Sequence, residues 1–539
     1  MTQSADTNKH IHISTLTNTR WLIVSNVFQK VFTFVVNQII IRQSSPEVFG
    51  IASVQLELLL STLLFLSREG IRLALLRVNC SDSAKKRQQL VNLSWVPFCV
   101  VFLVTVVIYM YCPNIVGGMS RTVVLLYCTG ALLECVGEPW FNYYNNAFNL
   151  TPRVRADSIA VSARSVFTYL CVVRWDMGVT GFGFAQLMYG ASHCITLMAH
   201  TWSVPGTQTS LKCFLPRHKV SSSTSLTSMF GPQALGDAVY MTGSSVLKHL
   251  LTEADKISLS LTASHYDQGV YAVIHNYGSL VARLLFQPVE ETCRIAFSQM
   301  ASSQKRGDDG TAYSAISILL RGALRLMLLT GAVFPLFGPA YARVVVKVVL
   351  GSKWYQEETI LALSAFCWYI FSMGVNGVSE AFMQGVAVSG IWSPVNRSLL
   401  LSSVCFVLTA PYLVNQYGTV GIISANTLSM SVRIICNVVF IEQYFADANT
   451  ISPVRECLPS IAEILSAFAV SCCVYMSSTV FASSEMTLKD IAVHLTVGVV
   501  LFVFLLGVVF VKHRDEIKSV MSSLVTSKKK QLEDKTKTQ

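Results

Sequence analysis

The chain has 539 residues, of which 52% are hydrophobic and only 13% charged, with a net charge of +11. A globular domain carries about 25% charged residues, so this composition excludes a soluble protein of this length. The apolar residues cluster in blocks of about twenty, the length that crosses a bilayer's hydrocarbon core. Lipid cannot satisfy backbone polar groups, and the blocks are too long and too evenly apolar for barrel strands. The expected fold class is all-α, a polytopic membrane protein of about fourteen transmembrane helices.

In chain order, the polar stretch Met1 to Arg20 lacks a cleavable apolar signal, so the first span serves as the insertion signal. Spans are expected at 21–41, 48–66, 91–111, 122–141, 156–174, 178–202, 236–262, 269–290, 315–337, 359–380, 398–413, 420–441, 459–482 and 490–511. Spans five and six, and eleven and twelve, are close enough in sequence to form tight hairpins. Span seven is the weakest, because it carries Lys248, His249, Glu253, Asp255 and Lys256.

The residues suggest an N-terminal lobe over 1–203, a cytosolic linker over 204–237 and a C-terminal lobe over 238–511 that includes two extra spans. A basic tail over 512–539 follows. The linker is rich in Ser, Thr, Gly and Pro and holds Lys212, Arg217 and Lys219. Two helical lobes around a midplane site are a common transporter plan.

With the N-terminus in the cytosol, the cytosolic segments hold 26 Lys and Arg, the opposite side holds 7, and 8 lie within spans. That asymmetry follows the positive-inside rule and supports an even number of spans, with both chain ends cytosolic. The sequons at Asn79, Asn92 and Asn396 fall on or near the cytosolic side and are expected to be unmodified. Lys535 and Lys537 match a dilysine retrieval signal of endoplasmic reticulum membrane proteins.

A charge at the bilayer centre costs at least about 2.5–3.5 kcal/mol on insertion scales, so intramembrane charges mark the places worth reading. Arg283 lies in Leu280-Val281-Ala282-Arg283-Leu284-Leu285-Phe286, with no acid in its segment until Glu290. Seven residues place Glu290 on the same face but about 10 Å away along the axis. Arg283 therefore needs either an anionic ligand such as a diphosphate, which suits a guanidinium fork, or a carboxylate from another helix, such as Glu57 or Glu380. Arg433 poses the same choice.

Lys256 follows Glu253 by three residues, and internal pairing is favoured there. Arg321 and Arg325 are expected to snorkel to headgroups. Arg42 and Arg68 close spans one and two, either as interfacial anchors or as a gate. Glu134 and Glu138 share one face of span four and serve either a coupling ion or a pair with Arg164.

No phosphate loop, His-Glu-x-x-His or Asp-x-Asp motif occurs. No catalytic residue, cofactor or metal site is expected, and the chain is not expected to be an enzyme. The fifteen cysteines form no Cys-x-x-Cys pair and are read as structural thiols.

Several stretches carry a family resemblance: 63–69, Gly137-Glu138-Pro139-Trp140, 247–253, 267–271, 276–291 and Asn376-Gly377-Val378-Ser379-Glu380. In order and nearly throughout, the chain resembles the eukaryotic Rft-type dolichol-linked oligosaccharide translocation proteins. The resemblance implies the superfamily of multidrug exporters and lipid-linked sugar flippases, with two lobes around a central cavity.

It also implies an endoplasmic reticulum protein whose substrate is a diphosphodolichol heptasaccharide of five mannoses and two N-acetylglucosamines. That lipid would pass from the cytosolic to the luminal leaflet for protein N-glycosylation. A non-transporting glycolipid-binding or chaperone protein of the same pathway is the alternative. By the resemblance, Arg42, Arg68, Arg283 and Arg433 match basic positions around the cavity, with Lys256, Glu253, Glu290 and Glu380 as secondary polar positions. The implied partners are the dolichol-linked oligosaccharide and the bilayer, with no nucleic acid. An ion-coupled exporter of organic cations predicts an acidic cavity, which deep cations argue against. A membrane sugar transferase predicts acidic luminal motifs, which are not seen.

Overall fold

The computed structural model describes residues 29–76, 84–111, 120–147, 151–203, 211–216, 229–304, 309–387, 393–447, 452–481 and 486–512. Met1 to Arg20, Asn79, Arg217, Lys219, Lys535 and Lys537 lie outside them, as do the side chains of Lys212 and Lys248. The described residues form helices and short connections, with no strand among them.

In order these are α1 (residues 29–43), α2 (Pro46–Leu76), α3 (Ala84–Tyr111), α4 (Arg121–Val136) and α5 (Glu138–Asn146). There follow α6 (Thr151–Arg174), α7 (Val179–Ser203), α8 (Pro232–Thr252), α9 (Ala254–Thr262), α10 (His265–Val281) and α11 (Gln287–Gln304). The last are α12 (Tyr313–Leu350), α13 (Glu357–Val386), α14 (Pro394–Asp447), α15 (Val454–Phe481) and α16 (Leu488–Lys512).

Among the described residues, eight helices are long and apolar enough to cross a membrane, or nine if the bent pair α4 and α5 is one span. That is fewer than the fourteen expected, for physical reasons. Helix α14 counts once although Gly418 (φ 52°, ψ −128°) breaks it between the expected spans eleven and twelve. Helices α7, α8 and α10 occupy the places of expected spans but are more polar. The described part of α1 is short.

The break at Gly418 is a left-handed kink that suits glycine. Asp267 caps it: its Oδ1 accepts from the Thr419 amide at 3.1 Å and from the Thr419 hydroxyl at 2.8 Å. The hairpin between α6 and α7 turns over Trp175 to Gly178, with Asp176 and Gly178 at positive φ.

Five π-helical turns interrupt the described helices: Ile51–Leu56, Phe65–Glu69, Tyr169–Arg174, Ala282–Phe286 and Val346–Leu350. Such turns are rare and are frequent at functional sites. Arg68 lies on the second and Arg283 on the fourth.

The chain forms two compact units. One comprises Met1–Val273 with Ser352–Trp354 and Val414–Thr419; the other comprises Ile274–Gly351, Tyr355–Leu413 and Val420–Gln539.

In the first unit, Trp140 and Phe141 of α5 pack with Leu75, Leu90, Leu93 and Leu197 in a buried cluster. Within the expected linker, the turn Leu211–Phe214 brings Phe214 into this cluster. It stacks on Trp140 at 4.8 Å, and its carbonyl accepts from Trp95 Nε1 at 2.8 Å. Asn92 is buried and donates to the Met229 carbonyl at 3.1 Å, so its sequon has no room for a glycan.

Helices α2 and α10 approach closely at two glycines, where a Cβ on Gly269 would meet the Pro46 carbonyl and one on Gly50 the His265 carbonyl. The end of α1 is held by Trp354, whose Nε1 donates to the Ile41 carbonyl at 2.8 Å. Lys353 donates to the Gln43 carbonyl, which satisfies helix-terminal acceptors that would otherwise be orphaned.

In the second unit, α15 and α16 pack on α12 around Ala340, Val470 and Val474. The Tyr341 ring stacks on His494 at 4.2 Å, and its hydroxyl donates to the His494 carbonyl at 2.7 Å. Phe297, Phe382 and Phe445 form a second buried group, with Phe382 edge-on to Phe297 at 5.3 Å.

Candidate functional site

The membrane-facing composition makes each intramembrane charge costly, so its partners define what it is free to do. In the first unit Arg68, Arg72 and Arg164 are each matched by a carboxylate. Arg68 Nη1 donates to Glu134 at 2.9 Å and reaches Glu138 at 3.5 Å. Arg72 grips the same Glu138 with two bonds, Nε to Oε2 at 3.0 Å and Nη2 to Oε1. Glu138 is 1% exposed and Glu134 is 3% exposed. Gln186 adds a donor to Glu134 at 2.9 Å, and Asn142 a longer one to Glu138 at 3.4 Å.

These pairs differ from the sequence expectation in two ways. Glu134 and Glu138 do face one side, yet their partners are Arg68 and Arg72, while Arg164 pairs with Glu57 at 3.1 Å. Arg68, expected as a diphosphate contact, has its charge already balanced by two carboxylates. The physical reason is the small turn at Gly137, which carries α4 into α5 and swings Glu138 toward Arg72.

A cavity of about 310 Å³ opens beside this network, between α2, α4, α6 and α7. Glu57, Arg68, Glu69, Glu134, Arg164 and Gln186 contribute its polar wall.

The pair Lys256–Glu253 forms as expected, at 2.8 Å. Tyr271 secures the same turn by donating to Asp255 at 2.7 Å. Arg42 is exposed near the end of α1, with no carboxylate within ion-pair distance among the described residues. Arg321, expected at the headgroups, pairs with Glu456 at 2.8 Å, because the short turn at Val454–Cys457 packs against α12.

In the second unit, the polar residues Asn376, Glu380 and Gln384 recur every fourth position on α13 and so line one face. Asn376 and Gln384 donate to the two oxygens of Glu380 at 2.8 and 3.0 Å. Arg433 of α14 reaches Glu380 at 3.5 Å and the Ser402 hydroxyl at 3.4 Å. Both are long for charge-assisted bonds, which run about 2.7–2.9 Å. The Arg433 Nε is buried with no partner. One turn on, Asn437 donates to Asn376 and Ser379 while its own Oδ1 is buried without a donor. The Glu290 carboxylate rests against Gly377, three residues from Glu380. Glu290, Glu380 and Arg433 thus share one patch.

Arg283 stands differently. It is exposed, and among the described residues its bonds go only to its own helix, to the Ser279 carbonyl and hydroxyl, each at 3.1 Å. Neither Glu57 nor Glu380 is its partner: the first holds Arg164 and the second Arg433. Arg283 keeps open donors in an apolar run of sequence.

Sequence reasoning did not single out Arg72, Gln186 or Asn437. The four-residue spacing from Asn376 to Gln384 was a readable signal. Nothing local marked Gln186.

A family model described as Rft protein matches residues 14–523. The chain belongs to the Rft family. Among curated Rft relatives, the Man(5)GlcNAc(2)-PP-dolichol translocation protein RFT1 of Mus musculus is 30% identical, over 94% of this chain and 96% of its own length. The protein of that name from Saccharomyces cerevisiae is 26% identical, over 98% of this chain and 99% of its own. Two solved structures share the fold. A lipid II flippase, MurJ, in an inward closed conformation has TM-score 0.63 and 11% identity, covering 92% of this chain and 99% of that one. An inward-facing multidrug resistance MATE family transporter of the MOP superfamily has TM-score 0.54 and 13% identity, covering 78% and 98%. The Rft chain is therefore an all-helical membrane protein of transporter fold.

Proposed function

We propose that this Rft-family chain is a carrier rather than an enzyme, resident in the endoplasmic reticulum membrane with both ends cytosolic. Its cargo is a diphosphodolichol heptasaccharide of five mannoses and two N-acetylglucosamines. It passes that lipid from the cytosolic to the luminal leaflet for protein N-glycosylation. The names of the relatives and the uneven distribution of Lys and Arg support this reading.

The observation that carries it is Arg283, an intramembrane guanidinium whose bonds leave its charge without a carboxylate. Dragging a diphosphate and seven sugars through hydrocarbon is prohibitive, since each unpaired polar group costs several kcal/mol, roughly 2–7. A cation held ready for the diphosphate removes part of that cost. The guanidinium fork matches phosphate oxygens two at a time.

The test is Arg283→Ala in cells depleted of their own Rft protein, with protein abundance and N-glycosylation measured together. Loss of complementation at normal abundance is expected. Unchanged glycosylation would take Arg283 out of the mechanism. Purified chain in vesicles with the labelled glycolipid then separates a carrier, which moves it, from an accessory that only binds it.

A further inference from the structure

The cavity of about 310 Å³ in the first unit has no part in the reading above. Its charge inventory decides what it accepts. Three guanidiniums, those of Arg68, Arg72 and Arg164, line it with three carboxylates, those of Glu57, Glu69 and Glu134, while Glu138 holds Arg72 from outside the lining. Each guanidinium is already engaged, and Glu57, Glu134 and Glu138 are engaged in return.

What is left over is acceptor. Glu69 lines the cavity with no donor among the described residues. Gln186, 0% exposed, also lines it; its amide nitrogen is used on Glu134, and its Oε1 is buried without a donor. An unsatisfied buried acceptor costs about 1–3 kcal/mol, so a built pocket with two spare acceptors asks for a ligand that donates.

A phosphate is the wrong ligand here. It brings only acceptors, its guanidinium partners are taken, and the Glu69 charge repels it. A metal cation is also disfavoured, because no three His, Cys, Asp or Glu side chains gather as ligands among the described residues. A sugar ring fits both halves of the wall. Its hydroxyls are donors, and its C–H face suits the apolar side made by Leu60, Leu64 and Phe65. The volume lies at the small end of ligand pockets, which run about 300–1,000 Å³, so it suits one sugar unit and not seven.

We infer that this cavity is a sugar subsite, in which one pyranose of the glycan donates hydroxyl hydrogens to Glu69 and Gln186 and rests its C–H face on Leu60, Leu64 and Phe65. The inference deepens the proposed function and rests on it for the identity of the glycan.

The test uses the full chain purified in a detergent without a sugar headgroup. The probe is the free heptasaccharide, bearing neither phosphate nor lipid, with binding followed by saturation-transfer NMR titration. Saturable binding is expected. Glu69→Ala and Gln186→Leu should each weaken it by about ten-fold, the loss expected for one charge-assisted hydrogen bond or one newly unmatched hydroxyl. Glu69→Gln keeps an acceptor oxygen and should recover most of the binding. Inorganic pyrophosphate should not displace the glycan.

Absence of saturable binding, wild-type affinity in both variants, displacement by pyrophosphate, or a response to sodium but not to glycan would each overturn the subsite. Melting temperature and monodispersity are read alongside. If Gln186→Leu unfolds because Glu134 loses a donor, Glu69→Ala decides, since Glu69 has no described partner to lose. The two proposals fail separately. A chain that binds free glycan but moves no glycolipid keeps the subsite and loses transport. A chain that complements fully with both variants in place loses the subsite alone.

Discussion

Two arginines on π-helical turns, one in each unit, meet opposite fates. Arg68 is bound by Glu134 and lies near Glu138, which Arg72 also holds. Among the described residues, Arg283 has only the Ser279 carbonyl and hydroxyl on its own helix. The sequence reads Arg283 as a costly mid-span cation and Arg68 as an interfacial anchor or a gate. The difference is in compensation: Arg68, Arg72 and Arg164 are matched by Glu134, Glu138 and Glu57, whereas no carboxylate among the described residues pairs with Arg283. Compensated charge holds helices together, and uncompensated charge is available to a ligand.

That contrast can be broken most forcefully at Glu138. Glu138→Ala leaves Arg72 and Arg68 part-buried without their shared anion, and about 3–5 kcal/mol of stability should be lost. Melting of the purified chain and its abundance in cells both report this. The double variant Arg72→Met/Glu138→Leu should recover much of the loss, because an apolar pair often replaces a buried ion pair at little cost.

Arg433→Ala should cost less, about 1 kcal/mol, since Glu380 keeps the donors Asn376 and Gln384. The same melting assay reads it.

Lys256→Ala removes an i, i+3 pair worth about 0.2–0.5 kcal/mol, and its melting shift should be near the limit of detection. Arg283→Ala should leave the melting temperature unmoved while abolishing complementation. If it instead destabilised the chain as Glu138→Ala does, the distinction between compensated and available charge would fail.

Much of this architecture was legible because it depends on local composition. Apolar blocks marked the helices, the close spacing of spans five and six and of eleven and twelve marked their hairpins, and the Glu253–Lys256 spacing marked its pair. The partners of Arg68 were not legible. They lie on α4 and α5, 66 and 70 residues away, and no periodicity in α2 encodes them. Glu134 and Glu138 were rightly placed on one face, with a coupling ion or Arg164 as alternatives for what they meet, because a sequence gives the face of a helix and not its neighbour. That Arg283 has no acid within reach on its own segment was readable; that neither Glu57 nor Glu380 comes to it from another helix was not. Gly418 looked like any loop glycine until Asp267, far away in sequence, was seen to cap the kink.

The π-helical turns carry a consequence for how this chain tolerates change in length. Each holds one residue more than an α-turn would, so the helix beyond it is out of phase with the helix before it. Deleting Leu284 would let Ala282–Phe286 relax to an α-turn across the same span, with the helix after it kept in place. Phe286, 3% exposed and packed on Gly374, would keep its seat, and Glu290 would stay beside Gly377. One residue lost from an ordinary α-turn of the same helix would instead rotate everything after it by about 100°.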